Sequence, residues 1–189
     1  HWRNRYLFMR HGHSQANQQR VIVSSPGRGV ENFGLSEHGE QQLAQLVADW
    51  QWPVPTRVVH SDFLRTTQTA AHVAARFELV PSVDTRLRER NFGELEGLGD
   101  ELYPSVWALD AEDAEHQHHG VEALSRVASR MQSVIGDWEQ QVSGEVILLV
   151  SHGDPLQILL TALAGKPLTS HREQTPLAPA SITLYGHGV

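Results

Sequence analysis

Four short polar clusters in this 189-residue chain have the composition of a reaction site. Arg10, His11 and Gly12 follow the apolar run Tyr6 to Met9, and Ser61, Asp62 and Arg65 follow a short stretch that ends at His60. Arg88, Glu89 and Arg90 come after Asp84-Thr85-Arg86-Leu87, and Ser151, His152 and Gly153 come after Val146 to Val150. In an open parallel sheet the ligand crevice lies beyond the carboxyl ends of the strands, so these four clusters are expected to face one crevice. Two histidines, several arginines and one carboxylate suit a phosphoryl group. Its transfer asks the protein for a nucleophile, an acid for the leaving oxygen, positioning and charge neutralisation. The planar fork of arginine neutralises phosphoryl oxygens bidentately. A neutral imidazole attacks phosphorus at physiological pH when its other ring nitrogen donates to a fixed acceptor such as a backbone carbonyl. Gly12 is expected to let the chain turn tightly. A helix starting near Pro155 is expected to bring free N–H groups and a positive dipole end beside His152. This chemistry requires no metal and no cofactor.

The elements that would position these clusters can be read from apolar patterning. Arg5 to Arg10 and Val146 to Val150 are continuously apolar at their centres, which points to parallel strands covered on both faces. Leu43, Leu46, Val47 and Trp50 form one helical stripe, with Ser36 placed to cap its start. A second helix is expected from about Asp62 to Phe77. A third spans roughly Val121 to Gln140, with Leu124, Val127, Met131, Val134, Ile135 and Trp138 on one face. A fourth has Pro155 at its first position and Gly165 at the C′ position. Thr56 to His60 and Ser181 to Tyr185 read as further short strands. Strands alternate with helices, which gives an α/β class with a mainly parallel sheet. Gln18 to Gly34 reads as a long surface loop. The acidic, histidine-rich stretch from Gly93 to Gly120 reads as an insertion, anchored by Tyr103, Trp107 and Leu109.

Composition narrows the class. The net charge of −7, with a pI near 5.9, argues against general nucleic-acid binding, which needs positive charge to replace counterions. There is no cysteine, so disulfides, thiol nucleophiles and thiolate metal sites are excluded. No apolar run near the start approaches the roughly 20 residues of a membrane helix, and a cytoplasmic location without membrane partners is the expectation. The length fits one domain over 1–189, with the insertion at about 93–120 covering the site.

With these residues in view, the chain resembles the histidine phosphatase superfamily, also called phosphoglycerate mutase-like, in its first branch. Arg10, His11, Gly12, Ser14 and Asn17 match the opening motif; Leu35, Ser36, Gly39 and Gln42 match a helix start. Ser61, Arg65, Thr66 and Thr69 match the segment with the second phosphate-binding arginine. Leu87, Glu89, Phe92, Gly93, Glu96 and Gly97 match the proton-donor segment, and Ser151, His152 and Gly153 the closing histidine. The resemblance implies a three-layer α/β/α fold with a mainly parallel central sheet. It also implies His11 as nucleophile, Glu89 as proton donor, and Arg10, Asn17, Arg65 and His152 as phosphate-binding residues, with His152 in the catalytic set. The activity implied is a metal-independent phosphatase on a small phosphorylated molecule.

Rival readings stand beside this one. Gly12-His13-Ser14-Gln15-Ala16 falls one residue short of a Gly-x-Ser-x-Gly elbow, and a serine hydrolase using Ser14 is discounted because only one strand precedes it. His116, His118 and His119 could suggest a metal, but in an acidic loop such histidines are expected to be solvated. Glu89 between two arginines could be part of a solvated charge run. Within the family, a phosphoglycerate mutase-type phosphotransferase is the alternative; the short chain favours water reaching phospho-His11 and hence hydrolysis. Tyr103, Trp107 and Leu109 are expected to wall the pocket, and Arg20 or Arg28 to add a second anion contact. Substrate identity and oligomeric state stay open.

Overall fold

The computed structural model describes residues 1–186. Its centre is a five-stranded sheet in the order β3-β2-β4-β1-β5. The strands are β1 (Arg5–Arg10), β2 (Arg57–His60), β3 (Ser82–Val83), β4 (Val146–Ser151) and β5 (Ile182–Gly186). All neighbours are parallel except β1 and β5, which run antiparallel at the edge.

The unbroken apolarity of β1 and β4 has a direct cause: helices cover both faces. Leu7, Met9, Leu148 and Val150 point to the face packed by α3 (Glu37–Ala48) and α4 (Leu64–Phe77). Tyr6, Phe8, Ile147 and Leu149 point to the other, packed by α6 (Leu124–Gln141) and α7 (Gly153–Leu163). The remaining helices are short: α1 (Gln15–Gln19), α2 (Pro26–Gly29) and α5 (Tyr103–Glu112). The layers are therefore helix, sheet and helix, in agreement with the class read from patterning. On α6 the buried set is Leu124, Val127, Ala128, Met131, Val134 and Ile135, the face expected from spacing. Each large side chain among them stabilises the packing by roughly 1.5–3 kcal/mol.

Several boundaries differ from the sequence expectation for local reasons. Ser36 does cap α3, accepting from Gly39 N at 3.0 Å. The helix after β4, however, begins at Gly153 with His152 as its N-cap, two residues before Pro155. Gly165 sits just past its C-cap with φ +71°, the left-handed conformation that favours glycine there. The stretch Asp84 to Leu87 is not a strand end but a 3₁₀ turn, Thr85–Leu87, capped by the Asp84 carboxylate.

The largest revision concerns Gln18 to Gly34, which is not a surface loop. It contains α2 and part of α1, and Ile22 and Val23 are buried. Ile22 packs with Phe92, Val106 and Val121 in a separate small core. Its N–H donates to Leu98 O, and its carbonyl accepts from Gly97 N. Apolar residues too few to show periodicity thus pair this segment with the 93–120 stretch. At the opposite edge the chain end binds the head of β1: Arg10 N donates to Ser181 O, and Ala180 N to His11 O at 2.9 Å.

Candidate active site

The register of the sheet does the first part of the assembly. Arg10 lies beside Ser151, and His60 beside Val150, so the chain segments leaving β1, β4 and β2 emerge side by side. His11, His152 and Ser61 are the first residues beyond these ends, and all three are buried. The rings of His11 and His152 have centroids 5.3 Å apart. Arg65 comes in from the first turn of α4, and Glu89 from the segment after the 3₁₀ turn.

His11 is held for reaction at one nitrogen. Nδ1 lies 2.7 Å from Gly12 O, the fixed carbonyl acceptor expected from the sequence, which places the ring proton on Nδ1 and a lone pair on Nε2. Arg65 Nε donates to that Nε2 at 3.2 Å. Burial, followed by the charges of Arg65 and Arg10, pulls the His11 pKa well below its usual value, so the ring is neutral. Gly12 serves a purpose other than a tight turn: a Cβ there would stand 2.3 Å from Leu43 Cδ2, so the residue is needed for close packing against α3. Its N–H donates to Thr69 Oγ1.

His152 is anchored through Nε2, 2.8 Å from Ser61 Oγ, and the Ser61 hydroxyl in turn meets Thr66 Oγ1 at 2.6 Å. Its Nδ1 is buried without a partner. Burial and the nearby arginines lower its pKa as well. Arg65 donates through Nη2 to Val23 O and keeps Nη1 unpartnered; Arg10 donates through Nη1 to Leu177 O and keeps Nε unpartnered. Buried donors without partners are costly and rare in native proteins. Here three of them, Arg10 Nε, Arg65 Nη1 and His152 Nδ1, belong to residues around His11.

Glu89 is not part of a solvated charge run. Its side chain is 10% exposed, and Oε2 stands 3.5 Å from Arg65 Nη2 and 3.9 Å from His152 Nδ1. Burial pushes its pKa up, opposed in part by Arg65 and reinforced by Asp154, to about 7. Arg130 of α6 donates to the carbonyls of Arg86, Arg88 and Glu89 and so fixes the segment that carries this carboxyl. Asn17 lies on the cavity wall; its Oδ1 accepts from Ser14 N and Oγ at 3.0 Å, completing a capping box at α1. Ser14 is therefore a helix cap, and the serine-hydrolase reading loses its nucleophile.

Arg10, His11, Asn17, Arg65 and Glu89 line one cavity of about 240 Å³ together with Tyr103, Trp107, Asp154, Gln157 and Arg172, and His152 lies fully buried behind its lining, beside His11. Tyr103 and Trp107 form the expected wall, their rings stacked at 5.6 Å; Leu109 does not reach it. Neither Arg20 nor Arg28 lines it. Arg20 closes α1, and Arg28 lies 3.9 Å from Glu96. His116, expected to be solvated, is buried on Asp110 at 2.6 Å. Sequence reading missed Asp110, Arg130, Gln157 and Arg172. Only Gln157 left a trace, as a lone amide inside the apolar run from Leu156 to Leu163.

Similarity to known proteins agrees with this geometry. The chain is 31% identical to a glucosyl-3-phosphoglycerate phosphatase of Mycobacterium tuberculosis, over 97% of this chain and 86% of that protein. It is 30% identical to a probable phosphoglycerate mutase of an Enterobacter species, over 87% and 76%. The solved native structure of a mycobacterial glucosyl-3-phosphoglycerate phosphatase superposes with a TM-score of 0.79 at 28% identity, covering 95% of this chain and 88% of that one. The profile of the histidine phosphatase superfamily (branch 1) matches residues 6–188, and the chain belongs to that family.

Proposed function

We propose that this protein hydrolyses phosphomonoesters through a phosphohistidine on His11. The observation that carries the reading is the unpartnered trio of buried donors around an imidazole whose unprotonated nitrogen is Nε2. Three phosphoryl oxygens supply the acceptors that Arg10 Nε, Arg65 Nη1 and His152 Nδ1 lack, and the two guanidinium groups offset their charge. His11 Nε2 bonds to phosphorus as the bond to the leaving oxygen breaks, and that oxygen takes the proton of the Glu89 carboxyl. Glu89, now a carboxylate, takes a proton from water. The water oxygen bonds to phosphorus, the P–N bond breaks, and inorganic phosphate leaves with the imidazole restored. A carboxyl with a pKa of about 7 is suited to both proton transfers near neutral pH. Asn17 completes the phosphate-binding set, and no step calls for a metal.

Relatives support the coarse assignment. One solved structure of a mycobacterial glucosyl-3-phosphoglycerate phosphatase is a complex with inorganic phosphate. The test is phosphate release from p-nitrophenyl phosphate in EDTA. The parent protein turns over, and His11→Ala releases no phosphate above background. Isomerisation of phosphoglycerate with negligible phosphate release would move the assignment to a mutase. Undiminished hydrolysis by His11→Ala would end it.

A further inference from the structure

Beyond the phosphoryl site the cavity holds one more cation, Arg172, which neither sequence motif nor any assigned role explains. Its guanidinium is fixed on three sides. Cζ lies 3.7 Å from the centroid of the Trp107 ring, and Nη1 donates to Asp154 Oδ1 at 3.3 Å and Gln157 Oε1 at 3.1 Å. Trp107 is itself held, its Nε1 donating to Asp154. Gln157 Oε1 also accepts from Leu177 N, and Leu177 O accepts from Arg10, so a short chain of hydrogen bonds ties Arg172 to a phosphate-binding arginine.

The other edge of Arg172, formed by Nε and Nη2, makes no hydrogen bond among the described residues. Two other arginines in this molecule show what that edge takes. Arg88 uses Nε and Nη2 to grip both oxygens of Asp62, at 2.8 and 2.6 Å, and Arg86 grips Asp84 in the same way at 3.0 and 2.8 Å. An arginine that is stacked, tethered at Nη1 and left with an open fork on a cavity wall is preorganised for a planar anion.

We infer that Arg172 is a specificity residue that grips a carboxylate on the leaving-group part of the substrate, so that the preferred substrate is a phosphomonoester with a carboxylate on its alcohol portion. This rests on the phosphatase reading and names the substrate class for it. Tyr103 and Trp107 then border the carbon skeleton between the two anions, and Asp154 balances the charge of Arg172 when the fork is empty.

The test uses two phosphomonoesters that differ only at this position: 3-phosphoglycerate, and glycerol 3-phosphate, which has a hydroxymethyl group where the former has a carboxylate. The readout is the ratio of their kcat/KM values for phosphate release. A charge-assisted bidentate contact is worth about tenfold to a hundredfold in this ratio. The parent is expected to favour 3-phosphoglycerate by that factor. Arg172→Gln is expected to bring the ratio close to one, and Arg172→Lys to keep part of it. Thermal melting of each variant shows that the ratio is read on folded protein. A parent ratio near one, or a ratio that Arg172→Gln leaves unchanged, overturns the inference while hydrolysis itself stands. Hydrolysis of neither ester, nor of p-nitrophenyl phosphate, overturns the phosphatase reading instead.

Discussion

Two buried charge clusters lie a few residues apart in this fold and are built on opposite rules. Around Asp110 both the carboxylate and the Arg90 guanidinium are answered, and His171 Nδ1 is the one buried nitrogen of the cluster without a partner among the described residues. The Asp110 carboxylate accepts both Nη groups of Arg90 at 2.7 and 2.8 Å, His116 Nε2 at 2.6 Å and His171 Nε2 at 2.9 Å. Burial alone would raise the Asp110 pKa, but Arg90 and the two imidazoles outweigh it and hold the carboxyl well below the usual range. Around His11 the cations are in excess, and three donors stay unanswered. The lesson is that a balance of charge, set against an excess of cations, separates a brace from a binding site. The Asp110 cluster ties α5, the His116 turn and the segment after α7 to Arg90, the residue next to Glu89, whereas the His11 cluster is finished only by a ligand.

Glu89, which faces the unfinished cluster, gives the sharpest test of that contrast. Glu89→Gln is expected to lower kcat by about 10²- to 10⁴-fold, because the leaving oxygen loses its acid. Stability follows from its pKa. The folded value of about 7 lies above the ordinary 4.5, so the native state holds the proton more tightly. The contribution of Glu89 to ligand-free stability is therefore fully present below about pH 4.5 and is lost as pH rises to about 7, whereas the buried neutral rings of His11 and His152 contribute in the opposite direction. The stability difference between the parent and Glu89→Gln, read from melting curves across that range, should therefore shift in favour of the variant as pH rises; parallel curves would place the carboxyl outside the buried site.

The paired cluster should respond in the other currency. Asp110→Asn leaves the buried Arg90 with Asp154, at 3.3 Å, as its one remaining carboxylate partner among the described residues, and denaturant unfolding is expected to show a loss of about 3 kcal/mol. Full stability with lost turnover in this variant would break the comparison. A smaller effect is expected from ligand addition: inorganic phosphate at about 100 times its Kd should raise the parent's stability by about 2.7 kcal/mol. Removal of one of the three unpartnered donors, together with its charge, by Arg65→Gln should abolish most of that gain. Smallest is Ser14→Ala, which removes a helix cap and not a nucleophile; a cost of about 1 kcal/mol in unfolding is expected.

The sequence disclosed the unpaired cluster and concealed the paired one, for a physical reason. His11, Arg65 and His152 sit beside strand ends or helix starts, where apolar runs and caps mark position, and Glu89, beyond a 3₁₀ turn, is reached through the family resemblance of its segment. Asp110, His171 and Arg172 sit on elements with no such mark: α5 is apolar on more than one side, and the segment around His171 and Arg172 follows a 3₁₀ turn after α7. Asp110 meets Arg90 and His171 at 20 and 61 positions along the chain, and Arg172 meets Gln157 and Asp154 at 15 and 18, beyond any local pattern. The same holds for Ile22 and Val23, whose burial depends on Phe92 and Arg65 and not on neighbours in sequence. Gly12 was legible as a required glycine, but its reason, the methyl of Leu43, belongs to tertiary packing.

The edge strand β5 and the segment before it carry a folding consequence. Because Ala180 N holds the carbonyl of His11, and Leu177 O holds the Arg10 side chain, two residues of the candidate site are tethered by partners far downstream. A chain that has paired β1, β2 and β4 alone still lacks these tethers. The anion-binding corner is thus completed only when the antiparallel edge docks, and loosening that edge loosens the corner without touching the parallel core.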